Sequence, residues 1–119
     1  MAEHARNFRD ADRVDTHRDG MGRTENLTLR SGTVSRLVLQ PGWRWSQHAR
    51  ADGAQGSCAE PHVRYVISGR MAIRMDDGTE TVYETGDVQQ IEPGHDGWVV
   101  GDEPVVLLDW YAATEKAQQ

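Results

Sequence analysis

The sequence predicts an all-β domain, a sandwich or barrel of many short strands. Three observations carry that expectation. Apolar and polar residues alternate in short runs, the period of a strand with one buried face. Gly and Pro punctuate those runs at close spacing, which marks tight turns between neighbouring strands. No window sustains the helical period of an amphipathic helix.

Taken in order, Leu27 and Leu29 alternate with polar neighbours and open the series. Val34 to Leu39 follows and ends at Pro41-Gly42. Trp43 and Trp45 alternate with Arg44 and Ser46 and read as a further short strand. Val63 to Ser68 is β-branched and aromatic, and Gly69-Arg70 turns the chain. Met71, Ile73 and Met75 alternate with Ala72 and Arg74. Asp76-Asp77-Gly78 then makes a hairpin turn, because Asp-Gly supplies the positive φ such a turn needs, and Thr81 to Tyr83 pairs back. Thr85-Gly86-Asp87 is another turn. Val88 to Ile91, Trp98 to Val100 and Val105 to Trp110 complete the set, separated by Pro93-Gly94 and Gly101-Asp102-Glu103-Pro104. Residues 1–22 are rich in Arg, Asp and His without a period and read as a flexible arm, ordered against another subunit if at all. The barrel is expected over residues 23–112, and residues 113–119 form a polar tail expected to fray.

A chain of 119 residues suits one domain and buries roughly two-thirds of its unfolded surface. The single cysteine, Cys58, has no partner for an internal bridge. No apolar run is long enough to cross a bilayer. Met1 to Asp19 lacks the apolar stretch of a secretory signal, so the expectation is a soluble cytoplasmic protein without a membrane partner. The formal net charge of −6 argues against nucleic-acid binding, which needs a basic surface. It leaves an anionic small molecule open, since a local Arg cluster can outweigh the mean charge.

From Pro41 to Trp110 the chain resembles the cupin superfamily. Gly42 is followed by five residues and then His48. His62 is followed by six residues and then Gly69, within Tyr65-Val66-Ile67-Ser68-Gly69-Arg70. Gly86-Asp87 leads through Val88 and Ile91 to Pro93-Gly94-His95. These match the two motifs of that superfamily in order. The wording Trp43-Arg44-Trp45-Ser46, with Gly94-His95-Asp96-Gly97-Trp98, is similar to a subgroup of small bacterial cupins. The resemblance implies a double-stranded β-helix, or jelly-roll, barrel that assembles as a homodimer. The metal motifs depart from the family pattern. Arg50 stands at the second His position, unless the gap falls before His48, which puts Cys58 there. His62 replaces the usual Glu, and the second-motif His aligns with Gly97, two residues after His95.

Four residues near one mouth of such a barrel are therefore candidate metal ligands: His48, Cys58, His62 and His95. Neutral imidazole and thiolate suit Zn, Fe, Ni or Cu. Each also has a plainer reading. His48 and His95 fit an exposed rim, His62 a hydrogen-bonded core position, and Cys58 a packed one. Strand alternation sets Arg64, Val66 and Ser68 on the side of His62, with Val63, Tyr65 and Ile67 on the other. The same alternation groups His48 with Ser46 and Arg44. Arg44 and Arg64 are then candidate anchors for a carboxylate or other oxyanion, or internal partners of Glu60, Glu92 or Asp96. Trp98, placed after a glycine-rich loop at the mouth, is a candidate for stacking on a ligand. His95 and Asp96 are the acid/base candidates. By resemblance, the function is metal-dependent dioxygenase, isomerase or lyase chemistry on a small anionic or phenolic molecule. The alternatives are a metal-free cyclase or isomerase of a secondary-metabolite pathway and a non-catalytic ligand sensor.

Overall fold

The computed structural model describes residues 5–112. After a short 3-10 turn at Phe8–Asp10 come β1 (Arg13–Thr16), a second such turn at Arg18–Gly20, β2 (Gly22–Leu29), β3 (Gly32–Leu39) and α1 (Trp45–His48). Then follow β4 (His62–Ser68), β5 (Arg70–Met75), β6 (Glu80–Glu84), β7 (Val88–Ile91), β8 (His95–Val99) and β9 (Val105–Ala112). The strands form a six-stranded sheet ordered β1-β2-β3-β9-β4-β7 and a three-stranded sheet ordered β6-β5-β8. Every pairing is antiparallel. Among the described residues no helix is long and apolar enough to cross a membrane.

The core lies between the two sheets and is built by alternation. The large sheet turns Leu37, Leu39, Val66, Val105 and Leu107 inward, and the small sheet answers with Met71, Ile73 and Val99. Leu107 and Val66 are fully buried, and truncating such a leucine to alanine costs about 2–5 kcal/mol. On the outer face of the large sheet the opposite phase leaves Val63, Tyr65, Ile67, Val88 and Trp110 exposed. Tyr65 stands beside Val88 on one side and Leu108 on the other, so these side chains form a continuous apolar band.

Two turns depend on glycine. Gly78 has φ +93° in the β5–β6 hairpin, where the Thr79 N–H donates to Asp77 Oδ1 at 2.9 Å. Gly69 has φ +85°, and a Cβ there would sit 2.4 Å from the Pro104 carbonyl oxygen.

Two parts of the chain differ from the sequence reading. Trp43 to Ser46 is not a strand: Trp45–His48 is a single helical turn. Asp96 accepts from the Ser46 N–H at 3.1 Å and the Ser46 hydroxyl at 2.7 Å, satisfying a helix-start donor that a strand would have paired. The segment read as an arm is also built into the sheet. Arg13–Thr16 pairs with Arg23 to Asn26 of β2, and no residue of β1 is buried, so its hold is backbone pairing rather than apolar packing. Residues 1–4 of that segment and the tail, residues 113–119, lie outside the described residues.

His17 ties this segment to the core. The buried Trp43 indole N–H donates to His17 Nδ1 at 2.9 Å, so the opposite nitrogen, Nε2, carries the proton it shares with Thr24 Oγ1 at 2.9 Å. Burial lowers the His17 pKa below its ordinary 6.5. The neutral ring is thus favoured in the fold. Its contribution to stability is present above the unfolded value and is lost as pH falls through the folded one. Thermal melts between about pH 7 and pH 5 should show wild-type stability declining. His17→Gln, which can accept from Trp43 and donate to Thr24 without titrating, should decline less. Parallel slopes for the two proteins would exclude this account.

Candidate functional site

A cavity of about 660 Å³ opens between the sheets. The inward polar residues of the large sheet make one wall, among them Asp15, Thr24, Asn26 and Ser35. Asn26 Oδ1 accepts from the Ser35 hydroxyl at 2.6 Å, and its amide donates to Asp15 at 3.3 Å. Trp45 and the alanines of the loop after α1 make an apolar wall opposite. The floor holds Cys58, His62, Arg64, His95 and Asp109.

Cys58, His62 and His95 each offer a ligand atom, and these atoms lie within 4.8 Å of one another. Strand alternation positions the two histidines, and backbone hydrogen bonds position the cysteine. His62 starts β4 on the inward phase shared with Arg64 and Val66. His95 starts β8 on the inward phase shared with Gly97 and Val99. An offset of two along a strand preserves the facing side, so His95 reaches the side that Gly97 faces. A Cβ at Gly97 would sit 2.8 Å from Ile73 Cδ1 and 3.3 Å from the Ala72 carbonyl oxygen, so a side chain there would force Ile73 to shift. Cys58 lies in the long loop before β4 and is pinned to β8. Its N–H donates to the His95 carbonyl at 2.7 Å, and the Gly94 N–H donates to the Cys58 carbonyl at 2.7 Å.

The donor chemistry fits a transition ion. His95 Nδ1 lies 2.8 Å from the Glu92 carbonyl, an acceptor only, so Nδ1 carries the proton and Nε2 keeps its lone pair. His62 Nε2 lies 3.6 Å from Cys58 Sγ, while its Nδ1 stands 3.5 Å from Asp109 Oδ2. At that separation the contact is electrostatic, and His62 Nδ1 and Asp109 Oδ1 are buried without a hydrogen-bond partner. A carboxylate or carbonyl behind the distal nitrogen is the arrangement that orients ligating histidines. Burial lowers the pKa of both imidazoles and raises that of the Cys58 thiol. The imidazoles are therefore neutral and ligand-competent near pH 7, and the thiol would surrender its proton to an incoming ion. The two rings meet edge to face at 5.3 Å.

Asp109 organises the floor. Its Oδ2 accepts from Arg64 Nε at 3.0 Å and from the Tyr111 hydroxyl at 3.1 Å. Burial pushes its pKa up, but His62 and Arg64 outweigh burial and hold it below the usual carboxylate value. Glu60, also on the cavity wall, is raised by burial and by the charge of Asp109. Neither Asp109 nor Tyr111 was among the residues singled out from the sequence. The available signal was an acid on the inward phase of Val105, Leu107 and Asp109.

The remaining sequence candidates lie elsewhere. His48 turns back on its own helix, its Nδ1 accepting the Arg44 N–H at 3.0 Å, and it does not line the cavity. Because His95 and Gly97 face inward, the intervening Asp96 and the following Trp98 take the opposite phase of β8. Arg44 joins them there, its guanidinium 4.3 Å above the Trp98 ring and 3.3 Å from Asp96. Arg44, Asp96 and Trp98 thus brace α1 against β8 and do not line the cavity. Arg64 does pair internally, but with Asp109 rather than with Glu60, Glu92 or Asp96.

With this geometry in view, the sequence matches a family model described as "Cupin domain" over residues 36–111. The chain belongs to the cupin family. No curated protein matches it. Among solved structures, this cupin resembles an uncharacterized conserved protein with a double-stranded β-helix domain from Klebsiella pneumoniae. That pair shares 18% identity and a TM-score of 0.63, over 97% of this chain and 94% of the other. It also resembles a protein described as a sugar phosphate isomerase from a cupin superfamily, from Silicibacter pomeroyi. There the identity is 16% and the TM-score 0.63, over 87% and 72% of the two chains. A cupin-like protein from Thermotoga maritima matches at 18% identity and TM-score 0.57, over 76% and 68%. At these identities the likeness establishes the jelly-roll fold.

Removing either partner of the Asp109–Arg64 pair strands a buried charge, so Asp109→Ala should lose about 3–5 kcal/mol in urea unfolding. Asp96→Ala removes a helix-start acceptor and a partly exposed ion pair, and should lose about 0.5–2 kcal/mol. Equal losses would contradict the placement of the two acids.

Proposed function

We propose that this cupin is a metal-dependent enzyme acting on a small organic molecule, anionic or phenolic, held in the central cavity. Cys58, His62 and His95 would hold the ion. The observation that carries this reading is their convergence at one point of the cavity floor, with Glu92 and Asp109 behind the two rings. The soft thiolate and borderline imidazoles favour Zn, Fe, Ni or Cu over Mg or Ca. When bound, such an ion supplies a Lewis acid facing the cavity.

The chain's own residues supply the rest. A cavity of this volume suits a small ligand. Glu60, raised by burial and by Asp109, keeps its proton to higher pH than an ordinary glutamate and is suited to exchange it with a bound molecule. The resemblance to the superfamily supports isomerase, lyase or dioxygenase chemistry without choosing among them. The apolar band of Val63, Tyr65, Ile67 and Val88 is the face on which we expect a second copy to pack. Val63→Glu should then shift a dimer to monomer in sedimentation analysis.

Protein purified without a metal-affinity tag should carry a stoichiometric transition ion. Cobalt(II) added to chelator-treated protein should give a thiolate-to-metal charge-transfer absorption that Cys58→Ser abolishes. His62→Ala and His95→Ala should weaken cobalt binding by at least about tenfold, and His48→Ala should leave it unchanged. Cys58 should resist a thiol reagent until chelator is added. No co-purifying metal, no absorption band and equal thiol reactivity in both conditions would return the protein to the metal-free reading, a cyclase, isomerase or ligand sensor.

A further inference from the structure

Arg64 is more than the partner of Asp109. Its side chain is 9% exposed, yet it meets Asp109 through Nε alone. A guanidinium carries five N–H donors, and the four on the Nη nitrogens have no acceptor among the described residues. Neither Nη is sealed in the interior, for the buried unpartnered atoms lie on His62, Gln89 and Asp109. Arg64 lines the cavity, so the space its Nη nitrogens reach is the cavity. The other guanidiniums on that wall are differently engaged. Arg13 is paired with Asp15, and Arg50 donates to the Gly56 carbonyl at 2.7 Å.

We propose that the two Nη nitrogens of Arg64 are the anchor for a carboxylate on the cavity's ligand, each nitrogen donating to one carboxylate oxygen. The fork of a guanidinium matches the two oxygens of a carboxylate. Asp109 fixes the orientation of that fork from behind, so it does not have to be ordered when the ligand arrives. The adjacent negative charge of Asp109 also sets the ligand's charge. It partly balances Arg64 and disfavours a dianion such as a phosphate monoester, leaving a monoanionic carboxylate as the fitting class. Arg64 lines the same cavity as Cys58, His62 and His95, so the anchored group would share that space with all three. The inference rests on the reading that the cavity binds a small organic anion, and it specifies the group that is recognised.

The test is calorimetric titration of chelator-treated protein, dialysed free of chelator, with four probes: acetate, benzoate, benzamide and phenyl phosphate. At least one carboxylate should bind. Benzamide and phenyl phosphate should bind at least about tenfold more weakly than benzoate, the scale of one lost charge-assisted contact. Arg64→Lys keeps a cation for Asp109 but has no second arm for the ligand, and should lose carboxylate affinity by about tenfold or more. If Arg64→Lys is too unstable to titrate, Arg64→Met combined with Asp109→Leu removes both buried charges together and should fold while losing carboxylate binding. No binding of either carboxylate, benzamide binding as tightly as benzoate, or wild-type affinity in either variant would overturn the proposal. Because every titration is run without metal, failure here is separable from failure of the cobalt experiment.

Discussion

Burying the carboxylate of Asp109 is the constraint from which much of this structure follows. A charge taken out of water costs several kcal/mol unless it is compensated at close range. Here the compensation comes from Arg64 and His62 on β4 and from Tyr111 on β9 itself. Arg64 and Asp109 are direct partners in the β4–β9 ladder. A slip of one residue in β4 would turn Arg64 and His62 to the outer face, away from Asp109 on β9, and bring Val63, Tyr65 and Ile67 inward. The ion pair and the apolar pattern therefore specify the same register. The irregularity in that ladder falls between Val66 and Ser68, beyond the polar pair.

The same alternation that builds the core also assembles the metal candidates. On β4 it sets His62 and Arg64 inward, and on β8 it sets His95 inward while sending Asp96 and Trp98 outward. Cys58 is not on a strand, and two backbone hydrogen bonds to β8 take the place of alternation. Two of the three donors thus ride on the rigid sheets, and the third is carried by the loop whose alanines wall the cavity. An ion held by all three would fasten that loop to the barrel.

What the sequence revealed and what it concealed divide along a physical line. Period-two patterning reports which side a residue faces, and it placed Val63 to Ser68, the β5–β6 hairpin and the inward side of β4 correctly. It failed where a distant residue decides the local conformation. Trp43-Arg44-Trp45-Ser46 alternates like a strand, yet Asp96, 50 positions from Ser46, accepts the donors of a helical turn. The partner of Arg64 lies 45 positions away and could not be picked from the nearer acids Glu60, Glu92 and Asp96. β1 carries little apolar signal, a single exposed Val14, because it adds to the edge of the sheet by backbone pairing.

The position of β9 has a consequence for how the chain reaches this state. β9 is the last strand among the described residues, but it lies between β3 and β4 in the six-stranded sheet. Until it docks, β1-β2-β3 and β4-β7 are two separate ribbons with no shared hydrogen bonds, each presenting an open edge. During synthesis, Arg64 and His62 emerge well before their carboxylate partner, so the cavity floor cannot be electrically complete until Val105 to Ala112 has left the ribosome. Long-range closure of this kind slows folding and leaves the β3 and β4 edges exposed to pairing with other chains. In a cell, the interval between the emergence of β7 and the docking of β9 is when a chaperone would have the most surface to hold.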